Sequence, residues 1–423
     1  MSKMKFNRRH FIKITGMATF GSMLNSPLQA NYTALYNAPK KESASLGVPK
    51  NKIAEVIETS VVSREPGKYL IVGQTMDENG HVKATEPFTE PNRYLGWPSI
   101  AKTEEGDLLI VYSGDRDSHV CPWGKTRLIR SSDNGKTWSQ PETINNTPLD
   151  DRDAGIIQTS RGTILVSWFT SLAYASPNWK WAYHKYARIA EKIPEELKKQ
   201  WLGNWVRRSE DRGKTWLEPS RTLGTSPHGP IQLRDGRLLY VGTGTWEGTF
   251  SFVVEESNDD GKSWQVISVV PTPTGNAHHM SEPHMAQLKS GKLVTMVRNE
   301  PKDREKCFLL QSESYDGGKT WTMLHETPLW GYPPHLLTLN NGWLLVVYGH
   351  RRKPYGERAC VSRDEGEAWD AENEIVLAEA FNGDLGYPAS VQLNDGTILT
   401  VFYQQDKEGD PTSVFTTHWR LKQ

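Results

Sequence analysis

Cysteine is scarce in this chain of 423 residues: there are three, Cys121, Cys307 and Cys360. They stand far apart in no metal-ligand or redox spacing and can form one disulfide at most, so each reads as structural. An excess of either charge is absent too, since Lys plus Arg and Asp plus Glu are 50 each. Without a global field, neither nucleic acid nor an anionic membrane surface is expected as a partner. No stretch approaches 18 apolar residues, so no span of a bilayer is expected in the mature chain. A His-Glu-x-x-His phrase is also missing, and no metal or other cofactor is expected.

What the chain has is repetition. An eight-residue phrase, Ser-x-Asp-x-Gly-x-(Thr/Ser/Ala)-Trp, occurs five times, ending at Trp138, Trp216, Trp264, Trp321 and Trp369. The Asp can bond backbone amides two residues on, the Gly takes the positive φ of a tight turn, and the Trp buries a large apolar face as the next strand begins. A larger unit surrounds each phrase: an opening turn, an apolar strand, a Gly turn, then two further strands. Six such openings begin at Trp97, Ala154, Gly229, Pro283, Pro334 and Pro388. Four-stranded units at about 50-residue spacing predict an all-β fold, a six-bladed β-propeller of antiparallel blades. The sixth unit ends at the C-terminus without the phrase, so the strand around Ile53–Val62 is expected to complete that blade and remove the sheet edges.

These phrases resemble the Asp-box repeats of the sialidase (neuraminidase) superfamily, whose propellers are six-bladed. The resemblance covers roughly residues 53–423. Ahead of it, residues 31–52 read as a polar linker. Residues 1–30 read as a twin-arginine signal peptide, with Asn7-Arg8-Arg9-His10-Phe11-Ile12-Lys13 before a short apolar run from Ile14 to Leu24 and a cleavage point at Ala30. The mature protein is therefore expected in the periplasm or outside the cell. A long insertion in the second blade, about residues 171–204, carries Trp179, Trp181, Tyr183 and Tyr186 and a helix-like phrase. It either overhangs a site or forms a small core on its own blade.

Sites in such propellers gather at one end of the axis, where the openings and the loops after the second strands supply many charged residues. That collection suits an anionic, polyhydroxylated ligand. The resemblance implies a Tyr nucleophile activated by a Glu, an Asp as acid/base, and three arginines on the substrate carboxylate. In Ser281-Glu282-Pro283-His284 and the strand ending at Arg298, it implies Glu282 as base and Arg298 as a clamp. In Gly386-Tyr387-Pro388 it implies Tyr387 as nucleophile. For the fifth blade Arg358 matches best as a second clamp, with Arg351 and Arg352 as rivals. Where the family carries Arg-Ile-Pro this chain has Gly96-Trp97-Pro98, so Arg93 would have to reach in from upstream. In the following loop Arg116 is matched, and Asp117 or His119 is left as the acid. The phrase Leu149-Asp150-Asp151-Arg152-Asp153 either orders a turn through salt bridges or lends Asp151 or Asp153 as a displaced acid. His228, His284 and His335 stand at or beside blade starts, where they can bind hydroxyls, ligate a metal or act as a base.

The expected function is an exported exo-acting glycoside hydrolase that removes a terminal acidic sugar, sialic acid by family default, from a glycan. Two alternatives stand beside it. A lyase or dehydratase on a uronic acid would use the same clamp with a His or Tyr387 as base, and a carbohydrate-binding propeller would bind without turnover.

Overall fold

A computed structural model describes residues 42–44, 47–65, 75–76, 82–83 and 94–422. The twin-arginine segment, its cleavage point, most of the linker and Arg93 lie outside the described residues.

Six sheets follow one another around an axis, each with its first strand innermost. The first blade is Tyr94–Lys102, Leu108–Arg116, Lys125–Ser131 and Glu142–Asn145, and the second runs from Asp150–Gln158 out to Ser220–Thr222. The third to fifth blades repeat the pattern. In the sixth, Gly386–Gln392, Ile398–Gln404 and Ser413–Leu421 are completed by Ala54–Ser63, whose Ala54 faces Leu421 and whose Ser63 faces Val414. Glu42–Ser43, expected as linker, adds a short fifth strand on Ser60 and Val61.

The apolar core lies between blades. Leu109, Val111, Ala154, Ile156, Val166 and Trp168 seal the first blade to the second, and Val56, Leu345, Val347, Ile398 and Trp419 seal the fifth to the sixth. Close approach at the axis fixes two glycines: a Cβ on Gly155 would lie 2.3 Å from the Gly229 amide nitrogen.

The repeated phrases sit at the turns between third and fourth strands, and their chemistry differs in one detail from expectation. The Asp reaches the amide four residues on, not two: Asp133 Oδ1 accepts from Thr137 N at 2.9 Å and Asp133 Oδ2 from Thr137 Oγ1 at 2.6 Å. Ser131 Oγ closes the turn by accepting from Gly135 N at 2.9 Å. Asp211, Asp259 and Asp316 repeat the Asp pair, and Asp364 keeps the amide bond alone because Ala368 has no hydroxyl. These bonds favour the carboxylate, and the Asp211 and Asp316 carboxyls are held down at about 2.

The insertion holds helices Lys180–Glu191 and Glu195–Trp201. It packs Tyr174, Tyr186 and Ala190 on Val120 and Cys121 of the first blade, so it does build a small core, though on its neighbour's loop. All three cysteines are buried free thiols. No helix among the described residues is long and apolar enough to cross a membrane.

Blade closure carries a testable cost. Trp419 is fully buried between the last two blades and donates Nε1 to Thr400 Oγ1 at 2.9 Å. Trp419→Ala should destabilise the fold by about 3–5 kcal/mol, read as a lowered urea midpoint.

Candidate active site

Four innermost strands carry the same irregularity. In the first, second, fourth and sixth blades the pairing with the second strand slips by a bulge near the strand start. At each slip one non-glycine residue holds a positive φ: Trp97 at 52°, Asp153 at 49°, Glu282 at 51° and Tyr387 at 52°. Each stands nine positions before its blade's turn glycine, Gly106, Gly162, Gly291 and Gly396. Non-glycine residues in this region cost about 1–3 kcal/mol each, and such strain collects where a side chain must be aimed. The third and fifth blades place Pro227 and Pro333 at this register, where the ring forbids positive φ. The bulge thus delivers an indole, two carboxyls and a phenol to one end of the axis.

Three of the side chains expected to act together do meet. Tyr387 donates its hydroxyl to Glu282 Oε1 at 2.5 Å, and Arg298 Nη1 donates to Glu282 Oε2 at 2.7 Å and to the Tyr387 oxygen at 3.4 Å. Burial, then the negative charges of Glu282 and Asp153, push the Tyr387 phenol well above its ordinary value, while Arg298 and Arg351 pull it down. At rest the phenol keeps its proton, with its acceptor already in place. Arg298 is less free than a clamp would be. Its Nε and Nη2 are taken by Glu300 at 2.7 and 2.5 Å, an acceptor the sequence reading passed over.

The other arginines sort differently from expectation. Arg358 faces the outer strand, where Nη1 donates to the Glu357 and Ala378 carbonyls and Nη2 to the Pro354 carbonyl. Arg351 is the fifth-blade cation beside Tyr387, 5.6 Å from its ring, with Nη2 on the Tyr403 hydroxyl at 3.3 Å. Arg352 instead covers Trp330 and pairs with Glu305. Arg116 is wholly buried and forked onto Asp150 at 2.7 and 2.9 Å, which fixes the loop and leaves no face for a ligand. Arg152 lies 4.4 Å from the Trp97 ring and 3.8 Å from Asp153. The Nε atoms of Arg152 and Arg351 are buried without a hydrogen-bond partner, as is Asp153 Oδ1. Of these, Arg152 Nε and Asp153 Oδ1 face each other as an ion pair.

The acid candidates separate in the same way. Asp151 is buried in its turn, accepting from Thr147 N, Thr147 Oγ1 and Trp168 Nε1. Asp117 accepts from Trp123 Nε1 at 3.1 Å and Tyr186 Oη at 3.2 Å, so it ties down the insertion. His119 accepts from or donates to Tyr94 Oη at 3.1 Å and stands 4.8 Å from Trp97, edge-on. Burial and then Arg152, Arg116, Arg351 and Arg298 drive its pKa down to about 2, so it is neutral and lacks the acidic proton of an imidazolium. Asp153 is pushed up to about 6 by burial, with Glu282 adding to the effect against the pull of Arg152. A carboxyl whose proton is held more tightly because it is buried is the kind of group general acids use. The residue count to the turn glycine was the signal that could have ranked Asp153 above Asp117.

His228, His284 and His335 cluster on the axis, with ring centroids 4.4–5.6 Å apart. His284 and His335 accept from the amides of Leu336 and Ser390 in the next blade through Nδ1. All three are kept neutral by burial. Among the described residues no group of three or more His, Cys, Asp or Glu is arranged to hold a metal ion. The cluster lies under the site, with His228 6.4 Å from the Tyr387 ring.

With this geometry in view, comparison with known proteins finds a match to the BNR repeat-like domain over residues 181–400. A xyloglucanase of Acetivibrio thermocellus is 27% identical over 195 residues, 40% of this chain and 21% of that protein. A sialidase of Bacteroides fragilis is 23% identical over 338 residues, 71% of this chain and 58% of that protein. The chain thus spans about a fifth of the one and over half of the other. A crystal structure of a protein of unknown function from Dyadobacter fermentans superposes with a TM-score of 0.66 at 22% identity, covering 87% of this chain and 99% of that one.

The raised Asp153 carboxyl has a sign that stability can read. Its folded pKa lies above the unfolded value, so its favourable contribution is complete below about pH 4 and is lost as pH rises through about 6. Asp153→Asn should therefore gain on the wild type by roughly 3 kcal/mol between pH 4 and pH 8 in urea unfolding. A difference that stays flat with pH would contradict the assignment.

Proposed function

The chain belongs to the BNR repeat-like domain family, and from that premise we propose that it is an exo-acting glycoside hydrolase of the sialidase type that removes a terminal acidic sugar. The observation that carries the reading is the 2.5 Å bond from the Tyr387 hydroxyl to Glu282. A phenol is a weak nucleophile until a carboxylate takes its proton, and here that carboxylate is held in place by Arg298. The glycan-acting relatives, a sialidase and a xyloglucanase, support the same class.

In the proposed reaction Tyr387 Oη attacks the anomeric carbon as its proton passes to Glu282. The bond from that carbon to the leaving oxygen breaks, and Asp153 gives the leaving oxygen its proton. Asp153, now ionised, then takes a proton from water as the water oxygen attacks the same carbon. The bond to Tyr387 breaks, and the phenolate recovers its proton from Glu282. The unfilled edges of Arg152 and Arg351 suit a sugar carboxylate, Arg152 standing in for the arginine that Trp97 displaces. Sialic acid is the first candidate, and the twin-arginine segment would deliver the enzyme to the periplasm or beyond.

The wild type should release free sialic acid from 3′-sialyllactose, and Tyr387→Phe should lose that release by at least about 100-fold. An ultraviolet-absorbing unsaturated product in place of free sugar would instead identify the uronate lyase. Asp153→Asn should slow sialyllactose at least about 100-fold but sialyl fluoride, whose leaving group needs no proton, by under about tenfold. Equal losses on both would remove Asp153 from the acid's role.

A further inference from the structure

The third blade ends its second strand differently from the others. Leu238–Trp246 and Thr249–Ser257 are joined by Glu247 and Gly248 alone, with φ of 49° and 79°, where the other five blades carry longer loops. Two residues of positive φ close a tight hairpin whose twist matches its strands, so the tip is fixed. Trp246 is the last residue before that turn and is 38% exposed. Its indole, among the described residues, makes no hydrogen bond, ring stack or cation contact. Thr249, also exposed, stands directly opposite it across the hairpin.

Packing lower in the two strands settles which side the indole takes. Val241, Phe252 and Val254 fill the seam with the fourth blade, so the alternate residues, from Leu238 to Gly244, face the second. A Cβ on Gly244 would meet the Leu223 carbonyl oxygen at 2.7 Å, and that carbonyl accepts from Asn204 Nδ2 of the second blade. Trp246 continues this face. Phe250 lies on the other, stacked on His278 with centroids 6.5 Å apart, and its carbonyl accepts from Ala277 N at 2.8 Å. The hairpin is thus braced from the fourth-blade side and presents Trp246 on the side of the second blade, which carries Asp153. Height follows from register. Thr243 stands seven residues after Gly236, as Arg298 stands seven after Gly291. Trp246 therefore lies three residues, about 10 Å along a strand, further toward the mouth than Arg298. In a ring of six the third blade faces the sixth across the axis. A group displaced by Tyr387 and protonated by Asp153 departs toward the second and third blades, where Trp246 stands.

We infer that Trp246 is the surface on which the glycan chain beyond the cleaved bond stacks, so that the substrate is an oligosaccharide or glycoconjugate read past its terminal residue. The apolar face of a pyranose ring matches an exposed indole, and the Thr249 hydroxyl beside it suits the ring's polar edge. A hairpin fixed in advance loses little conformational freedom on binding. A protein partner fits the tip less well. Its two exposed aromatic rings, Trp246 and Phe250, lie on opposite faces and form no continuous apolar patch. This inference rests on the hydrolase reading above for the direction in which the chain leaves.

The test compares 3′-sialyl-lacto-N-neotetraose, whose leaving group is a neutral glycan chain, with sialyl fluoride, which has no leaving sugar. The ratio of kcat/KM for the glycan to that for the fluoride should fall about tenfold in Trp246→Ala and less than about twofold in Trp246→Phe, which keeps an aromatic face. An unchanged ratio in Trp246→Ala would overturn the assignment. Lacto-N-neotetraose alone serves as a second probe, independent of turnover. Saturation-transfer NMR should show contact to its ring protons with the wild type, and loss of that contact with Trp246→Ala. If the wild type cleaves neither substrate, the hydrolase reading fails while the NMR measurement still decides the role of Trp246. No contact with the wild type, or contact that persists in Trp246→Ala, would overturn it.

Discussion

The hydrogen bond between Tyr387 and Glu282 joins residues 105 positions apart in the sequence and two blades apart in space. Everything that places those two atoms 2.5 Å apart is a property of the whole ring. The fourth and sixth blades stand at the right separation because the fifth is packed between them, and the sixth is a full sheet because Ala54–Ser63 returns to finish it. A propeller lacking that strand would present an open edge and a loosened last blade, with Tyr387 on its innermost strand. The site is thus linked to closure of the fold.

Within the ring, aim comes from the bulges. A regular strand alternates its side chains and would send the residue at this register toward a neighbouring blade. The slip in pairing, with φ near 50°, turns Trp97, Asp153, Glu282 and Tyr387 toward the end of the axis. Four strained residues in one protein represent a stability loss that well-packed seams between blades offset. Their charges are arranged with equal economy. Glu300 occupies the outer edge of Arg298, so that arginine orients Glu282 and faces the phenol, while Arg152 and Arg351 keep polar edges unfilled. In the proposed reaction, one group of arginines maintains the machinery and the other meets the sugar carboxylate.

The fold was legible because its signals are local and repeated. Each Ser, Asp and Gly of the eight-residue phrase acts within its own turn, so five copies read in sequence were five copies in space. Glu282, Arg298 and Tyr387 were legible through family resemblance, and the structure brings them together. The arginines and acids were harder, because their fates depend on partners remote in sequence. Nothing near Arg358 announces that the Pro354 and Ala378 carbonyls will hold it, and Asp117 reads as an acid until Tyr186 of the insertion reaches it. Asp153 was hidden for a different reason. It lies in a run of three carboxylates, and only counting back from Gly162 separates the one aimed at the axis from the two that order the turn.

The central claim is that Tyr387 becomes covalently attached to the sugar during turnover. It is tested most directly by incubating the protein with 2,3-difluoro-sialic acid, whose ring fluorine slows release of the intermediate, and mapping the modified peptide by mass spectrometry. The account predicts one added sugar on Tyr387, absent when Glu282→Gln is treated in the same way. Modification of another residue, or none from a protein that turns over sialosides, would contradict it.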